Sequence, residues 1–273
     1  MLPEIVTAVR DRPLFIVLHG PEGAGKTSMG AHAPNPVFAQ IGNETGLETL
    51  VASKQLSETA HFKDTCQTWN ELLGCVAWLL KEQHEYETFV IDTLNGAERL
   101  CYDHVIKEEY AGKAGDDGFL SYQQGYTVAL GPWRRLLKGL DMLRTDRKML
   151  ILCLCHSMKR TFRNPEGPDY DRYEPAFEGA KAWGQTHKDA DVVLFLTFHT
   201  EVRSEGKAKS GKATPKGKAS GGQSRVIYTE RTATFDAKNR CGLPTEIDAD
   251  GGGQKAWDNF ATALTEARDQ KES

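Results

Sequence analysis

The hydrophobic and polar positions alternate between short apolar runs and amphipathic stretches along the chain. The apolar runs predict strands over residues 14–19, 37–41, 88–91, 149–155, 192–198, 225–230 and 233–237. Apolar residues recur at helical spacing between them, as Leu72, Val76 and Leu79 do. The predicted helices are 26–32, 68–84, 96–109, 121–144, 180–188 and 255–268. This alternation predicts an α/β fold, with a mainly parallel central sheet flanked by helices and antiparallel strands near the C-terminus.

Length and composition limit the classes of protein. The 273 residues suit one large α/β domain or two small ones. With 34 Lys and Arg against 38 Asp and Glu, the net charge is −4, so a site for a polyanion must come from local segments. The hydrophobic fraction of 39% is typical of a globular protein. No apolar run approaches the roughly 20 residues of a membrane span, and we expect no membrane partner.

The cysteines and the N-terminus indicate the compartment. The six cysteines are scattered and lack the spacing of a disulfide scaffold or a zinc site, so we expect reduced thiols. The first residues carry acidic side chains and no apolar core of a secretory signal. We therefore expect a cytoplasmic protein.

A glycine-rich motif lies between the first predicted strand and the first predicted helix. It matches G-x-x-x-x-G-K-[ST] in full and reads Gly20, Pro21, Glu22, Gly23, Ala24, Gly25, Lys26, Thr27, followed by Ser28. Its backbone N–H groups and the helix N-terminus are suited to hold phosphates. Lys26 would reach the terminal phosphates, and the Thr27 hydroxyl would bind Mg²⁺. We therefore predict ATP and Mg²⁺ as cofactors.

Two acidic residues follow apolar strands and complete this prediction. Asp92 ends the run Phe-Val-Ile, at the place where a carboxylate would hold Mg²⁺ beside Thr27. Glu44 follows the strand after the motif's helix and is the candidate general base that polarises the attacking water. A simple surface role stays an alternative for Glu44.

Four segments together resemble the core of the RecA-like P-loop NTPases. They are GPEGAGKTS, QIGNETG, FVIDT and LCLCHS. The resemblance implies that Glu44 is the catalytic glutamate and that His156 senses the γ-phosphate. RecA has Gln in the sensing position, whereas an imidazole can also donate to a phosphate oxygen. A histidine bonded to backbone groups stays the alternative for His156.

A further motif, AKNRCG, covers residues 237–242. It is similar to the K-N-R-F-G motif of RadA-type ATPases and the K-x-R-x-G motif of DnaB-type helicases, with Cys241 in place of Phe. The resemblance implies that Lys238 and Arg240 reach the nucleotide of a neighbouring subunit in a ring or filament of identical chains. An intrachain ion-pair role is the alternative.

As a whole the chain is most similar to phage-encoded RecA-like ATP-binding proteins of the single-strand annealing type, over residues 15–247. This implies a DNA-stimulated ATPase that acts on single-stranded DNA in recombination or replication, with a single-strand-binding protein as a further partner. The alternatives are a nucleotide or small-molecule kinase, a helicase motor, and a non-catalytic scaffold ordered by ATP.

Two segments are candidates for DNA contact. Residues 157–175 begin with Lys159, Arg160, Phe162 and Arg163, which suit phosphate neutralisation and base stacking. Residues 203–225 are predicted to form a mobile basic loop, either a solvated insertion or a hold on phosphates. Its lysines are Lys207, Lys209, Lys212, Lys216 and Lys218. The predicted organisation is an N-terminal extension (1–13), an ATPase domain (14–250) and a C-terminal helix or tail (251–273).

Overall fold

The structure is a computed structural model that describes residues 12–204 and 217–272. Its strands are β1 Phe15–Gly20, β2 Pro36–Gln40, β3 Ala60–His61, β4 Thr88–Asp92, β5 Leu150–Phe162, β6 Tyr170–Pro175, β7 Val192–Ser204, β8 Gly217–Tyr228, β9 Lys238–Asn239 and β10 Glu246–Asp248. Its helices are α1 Lys26–Ala31, α2 Gly46–Ala52, α3 Trp69–Lys81, α4 Leu94–Glu109, α5 Gln124–Val128, α6 Leu130–Asp146, α7 Ala180–Asp189 and α8 Gly253–Glu272.

A mainly parallel sheet forms the centre of the fold. The strand order is β10-β8-β7-β1-β5-β4-β2-β3, and the pairs from β7 across to β3 are parallel. Strands β8, β9 and β10 add antiparallel pairs near the C-terminus. The predicted α/β class is therefore confirmed, including the antiparallel C-terminal strands.

Side chains of the buried strands alternate between two cores, one on each face of the sheet. In β1, Phe15 and Val17 pack into the core under α3, α4 and α6, whereas Ile16 and Leu18 pack into the core with α1. Helix α8 belongs to this second core through Trp257 and Phe260. The segment predicted as a C-terminal helix or tail is thus a helix that packs against the sheet.

The helix predicted over 121–144 is divided in the structure. A 3₁₀ turn over Ser121–Gln123 precedes α5 and α6, because Tyr122 and Gln123 adopt positive φ angles of 46° and 56°. Left-handed backbone cannot continue an α-helix. The strand predicted over 233–237 is also absent, and the chain there makes one isolated bridge, Tyr173 to Phe235.

Two strands run further than their apolar patterns predict. Strand β5 continues past the sheet and turns back as β6, so the segment 157–175, the first candidate for DNA contact, is an antiparallel hairpin. Strands β7 and β8 pair from Phe195–Tyr228 out to Ser204–Gly217. Both therefore enter the predicted basic loop, and strand backbone occupies 203–204 and 217–225. Within the described ranges, no helix is long and apolar enough to cross a membrane.

Candidate phosphate-binding site

The glycine-rich motif forms a loop between β1 and α1 at the carboxyl end of the sheet. Gly23 and Gly25 have φ angles of 73° and 105°, which L side chains rarely adopt. Helix α1 begins at Lys26, whose Nζ donates to the carbonyl oxygens of Gly20 at 2.9 Å and Pro21 at 2.8 Å. Burial lowers the pKa of Lys26. A buried cation therefore lies beside backbone N–H groups, a combination that attracts phosphate.

A hydroxyl and a carboxylate meet next to this loop. Thr27 Oγ1 donates to Asp92 Oδ2 at 2.9 Å across the ends of α1 and β4. Asp92 is buried, and burial raises its pKa to about 6. The hydroxyl and carboxylate oxygens are hard ligands that fit Mg²⁺ held jointly by protein and phosphate oxygens. The described residues contain no cluster of three or more His, Cys, Asp or Glu that would hold a metal alone.

Glu44 and His156 lie together on the wall of the same cavity. His156 Nε2 is 3.3 Å from Glu44 Oε1, and this hydrogen bond lowers the pKa of Glu44. The backbone N–H of His156 donates to Asn95 Oδ1 at 3.1 Å. His156 is the residue of β5 that pairs with Gly20, and the hairpin begins with the next residue. The imidazole thus lies where the parallel sheet passes into the hairpin.

Nine of the site residues predicted from the sequence line one cavity of about 430 Å³. Its wall contains Glu22, Gly23, Gly25, Lys26, Thr27, Ser28, Glu44, Asp92 and His156. The volume lies in the range of small-molecule sites. The arrangement is chemically suited to hold a polyphosphate with Mg²⁺ and to orient water at its end.

The same cavity contains residues that sequence reasoning missed. They are Gly46, Thr49, Leu50, Gln55, Arg225, Gly252, Gly253 and Ala256. A Cβ on Gly253 would lie 2.2 Å from Ser28 Oγ, so only glycine lets α8 begin this close to α1. The run Gly251–Gly253 was a visible signal of such a close approach. No sequence signal indicates Arg225, because strand β8 brings it to the cavity from a distant part of the sequence.

The AKNRCG motif lies at the opposite end of the sheet. Lys238 and Asn239 pair with Val193 and Val192, the first residues of β7. Lys238 Nζ donates to the carbonyl oxygens of His187, Lys188 and Ala190, which end α7. A cation at a helix C-terminus is stabilising. Within one chain, Lys238 is thus bonded to the end of α7, and its predicted reach into a neighbour stays a prediction.

Asn239 and Arg240 have separate roles in this motif. Asn239 Oδ1 accepts from the backbone N–H groups of Cys241, Gly242 and Leu243 and so holds the turn. Arg240 is exposed at a second cavity, of about 540 Å³. Basic side chains also on its wall are those of Arg12, Arg134, Lys138, Arg144 and Lys188. Of the two predicted cations, Arg240 is the one presented at the surface.

The hairpin side chains predicted to contact DNA mostly have partners within the chain. Lys159 Nζ is 2.9 Å from Asp171 Oδ2, and Arg160 donates to the carbonyl oxygen of Phe177. The ring of Phe162 lies under the Arg172 guanidinium, 4.8 Å from its Cζ. Arg163 is exposed at the turn. The hairpin is therefore more structured and less free to bind than the sequence indicates.

Of the five lysines predicted to contact DNA in the basic segment, the structure describes only Lys218. Lys207, Lys209, Lys212 and Lys216 lie outside the described residues. Lys218 belongs to β8, opposite Arg203. Their predicted contact with DNA stays a prediction.

Comparison with known proteins gives a family. A family model described as an AAA domain, AAA_24, matches residues 12–241. Among solved structures, the chain is similar to the RadB recombinase, with a TM-score of 0.47 and 12% sequence identity over 89% of this chain and 90% of that chain. No curated protein matches the chain.

Proposed function

Because the chain belongs to the AAA_24 family of AAA domains, we propose that it is a Mg²⁺-dependent ATPase of the RecA-like type acting on single-stranded DNA. The observation that carries this proposal is the convergence of Lys26, Thr27, Glu44, Asp92 and His156 on one cavity. These residues come from four separate elements or loops, and each has the chemistry that polyphosphate hydrolysis needs at that point.

Each side chain has a distinct part in the proposed reaction. The loop N–H groups and Lys26 hold the phosphates, and Thr27 and Asp92 would hold Mg²⁺, which neutralises charge on the terminal phosphates. Glu44 orients the attacking water and accepts hydrogen bonds from it. His156 donates to the γ-phosphate from the wall that also carries Glu44.

We propose that Arg240 completes the site of a neighbouring copy. Phe15 lines the Arg240 cavity, and Gly20 begins the phosphate loop at the other end of β1, about 17 Å away at 3.3 Å per residue. Arg240 is therefore too distant for its own chain's nucleotide. In a head-to-tail ring or filament, it would meet the next chain's γ-phosphate.

The proposed action on DNA rests on the hairpin that follows His156. Its backbone is bonded to the segment before Lys238, because Tyr173 N–H donates to Thr234 O and Asp236 N–H donates to Tyr173 O, each at 2.8 Å. We propose that a change at His156 moves the hairpin together with the segment that leads to β9 and Arg240. The phage and single-strand annealing role is supported by the sequence resemblance alone.

ATP turnover with Mg²⁺, measured with and without single-stranded DNA at several protein concentrations, tests the proposal. We expect turnover to rise with DNA and to rise more than linearly with protein concentration. Lys26→Ala removes the phosphate-binding cation and should abolish ATP binding, whereas exposed Lys63→Ala is the matched control. Turnover that is indifferent to DNA and to protein concentration would contradict the DNA-stimulated assembly.

A further inference from the structure

Arg225 is a basic residue of the nucleotide cavity that neither the motifs nor the family match singles out. It lies on β8 and lines the cavity with the phosphate loop and the start of α8. Of the cavity's side chains, those of Lys26 and Arg225 are its lysine and arginine, whereas Glu22, Glu44 and Asp92 are acidic. Arg225 therefore adds a second permanent cation to the cavity wall, on a different element from Lys26.

The backbone of Arg225 is held on both sides. Its N–H donates to Asp250 Oδ1 at 3.2 Å, and its carbonyl oxygen accepts from Ala249 N–H at 3.0 Å. Its guanidinium lies over the ring of Phe198, with Cζ 5.4 Å from the centroid. These contacts orient the side chain beside the cavity.

The Nε donor of the Arg225 guanidinium is buried without an acceptor. Nε of Arg225 is inaccessible to solvent, and no atom in the described part of the chain accepts a hydrogen bond from it. Buried N–H groups of a guanidinium are rarely left unpaired, because the desolvation cost is not offset. The acceptor that best matches a guanidinium is a phosphate oxygen.

The strand order indicates which phosphate this is. Asp92 on β4 and His156 on β5 lie on one side of β1, and β8 with Arg225 lies on the other. The Mg²⁺ ligands belong with the β- and γ-phosphates. A polyphosphate that crosses the loop from that side brings its α-phosphate towards β7 and β8. The N-terminus of α8, at Gly253, adds its positive dipole end there.

We infer that Arg225 binds the α-phosphate of the nucleotide in its own chain, which makes it a positioning residue at the nucleoside end. This inference rests on the proposed nucleotide binding. It differs from the proposed role of Arg240, since Arg225 acts in the same chain and holds ATP and ADP equally.

Calorimetric titration of ATP and ADP with Mg²⁺ into the full chain tests the inference. Arg225→Met keeps the length and the apolar contact with Phe198 but removes the charge. We expect it to weaken ATP and ADP binding by the same factor, about tenfold or more, as for a lost hydrogen bond to a charged group. Arg225→Lys should recover most of the affinity, because a lysine also binds phosphate as a point charge. Exposed Arg231→Met is the control.

The alternative outcomes are distinct. A loss confined to ATP would assign Arg225 to the γ-phosphate and overturn the inference. Equal weakening by Lys and Met would indicate stacking on the base and overturn it as well, as would unchanged ADP affinity in Arg225→Met. The ligand-free variants should unfold at the wild-type temperature, which separates binding from folding. If the wild-type chain bound neither nucleotide, the proposed function itself would fail.

Discussion

The two ends of the central sheet hold two lysine-containing motifs that are organised differently. At the carboxyl end, the phosphate loop acts through its backbone, and its lysine is buried against Gly20 and Pro21. At the amino end, three residues of AKNRCG have different surroundings. Lys238 donates to the carbonyl oxygen of Ala190, just after α7, Asn239 accepts hydrogen bonds within a turn, and Arg240 is exposed.

This contrast between the two motifs indicates when a short motif alone is enough to define a binding site. A phosphate loop is complete within one chain because consecutive N–H groups form it. A motif that acts through exposed side chains is complete only when a second molecule supplies the ligand. The phosphate loop should therefore bind ATP even when the protein is a monomer. Arg240, by contrast, should affect turnover only when chains assemble.

Among the variants that should keep ATP binding, Arg240→Ala has the largest expected effect. Arg240→Ala should lower ATP turnover about 10³-fold, as for the loss of an arginine finger, and leave ATP affinity unchanged. Turnover and equilibrium binding on the same samples measure both. Mixing Arg240→Ala with Lys26→Ala should restore part of the activity, because each variant supplies the half-site that the other lacks. Full activity of Arg240→Ala at all protein concentrations would contradict the role in a neighbour.

Lys238 supplies the contrast for that experiment. Lys238→Met keeps the aliphatic chain and removes the charge at the end of α7. It should lower the free energy of unfolding by about 1–2 kcal/mol, the scale of a charged hydrogen bond and a helix-terminus interaction. If Lys238→Met instead matched Arg240→Ala in turnover at unchanged stability, both cations would belong to the assembly.

A variant of Glu44 tests whether the site at the carboxyl end hydrolyses ATP, separately from whether it binds ATP. Glu44→Gln keeps the size and the possibility of a hydrogen bond with His156 but cannot polarise water as a carboxylate. We expect turnover to fall about 10²-fold or more, with ATP affinity kept within a few-fold. Exposed Glu48→Gln on α2 is the matched control. Wild-type turnover in Glu44→Gln would favour an ATP-ordered scaffold without this catalytic residue.

The elements predicted best are those whose information is local. The buried strands near residues 15–20 and 88–92 and the loop between β1 and α1 follow from contiguous apolar and glycine patterns. The hairpin of β5 and β6 was missed because its polar residues alternate on a solvent-exposed ribbon. Arg225 was missed because β8 reaches the cavity only after the sheet has formed. Side-chain partners at long sequence separation, such as those of Lys238, are set by packing and leave no local pattern.

The buried His19, at the end of β1, is bonded both to the start of the hairpin and to the segment before Lys238. Its Nε2 donates to Asp236 O at 2.8 Å, and its Nδ1 accepts from Ser157 Oγ at 2.9 Å. Burial lowers the pKa of His19 to about 4, against an unfolded value near 6.5. As the pH falls below 6.5, the unfolded chain binds this proton first, so the free energy of unfolding decreases.

At 1.36 kcal/mol per pH unit, the loss attributable to His19 between pH 6.5 and 5 is about 2 kcal/mol. Denaturant unfolding of wild type and His19→Gln at both pH values isolates this contribution from those of other titrating groups. We expect the variant to be less stable than wild type at pH 7 and to lose less stability on acidification. An equal loss in both chains would show that the imidazole titrates normally.

The smallest expected effect separates two cations of the hairpin that joins the ends. Asp171 already neutralises Lys159, whereas Arg163 is exposed at the turn. If the hairpin binds single-stranded DNA, Arg163→Ala should reduce the slope of log affinity against log salt by about 0.7, the value for one phosphate contact. Lys159→Ala should reduce it less, because its charge is balanced before DNA arrives. Fluorescence anisotropy of a labelled oligonucleotide from low to moderate salt measures both slopes. A wild-type slope in Arg163→Ala would mean that the turn is not part of the DNA interface. A larger change in Lys159→Ala than in Arg163→Ala would mean that DNA replaces Asp171 as the partner of Lys159.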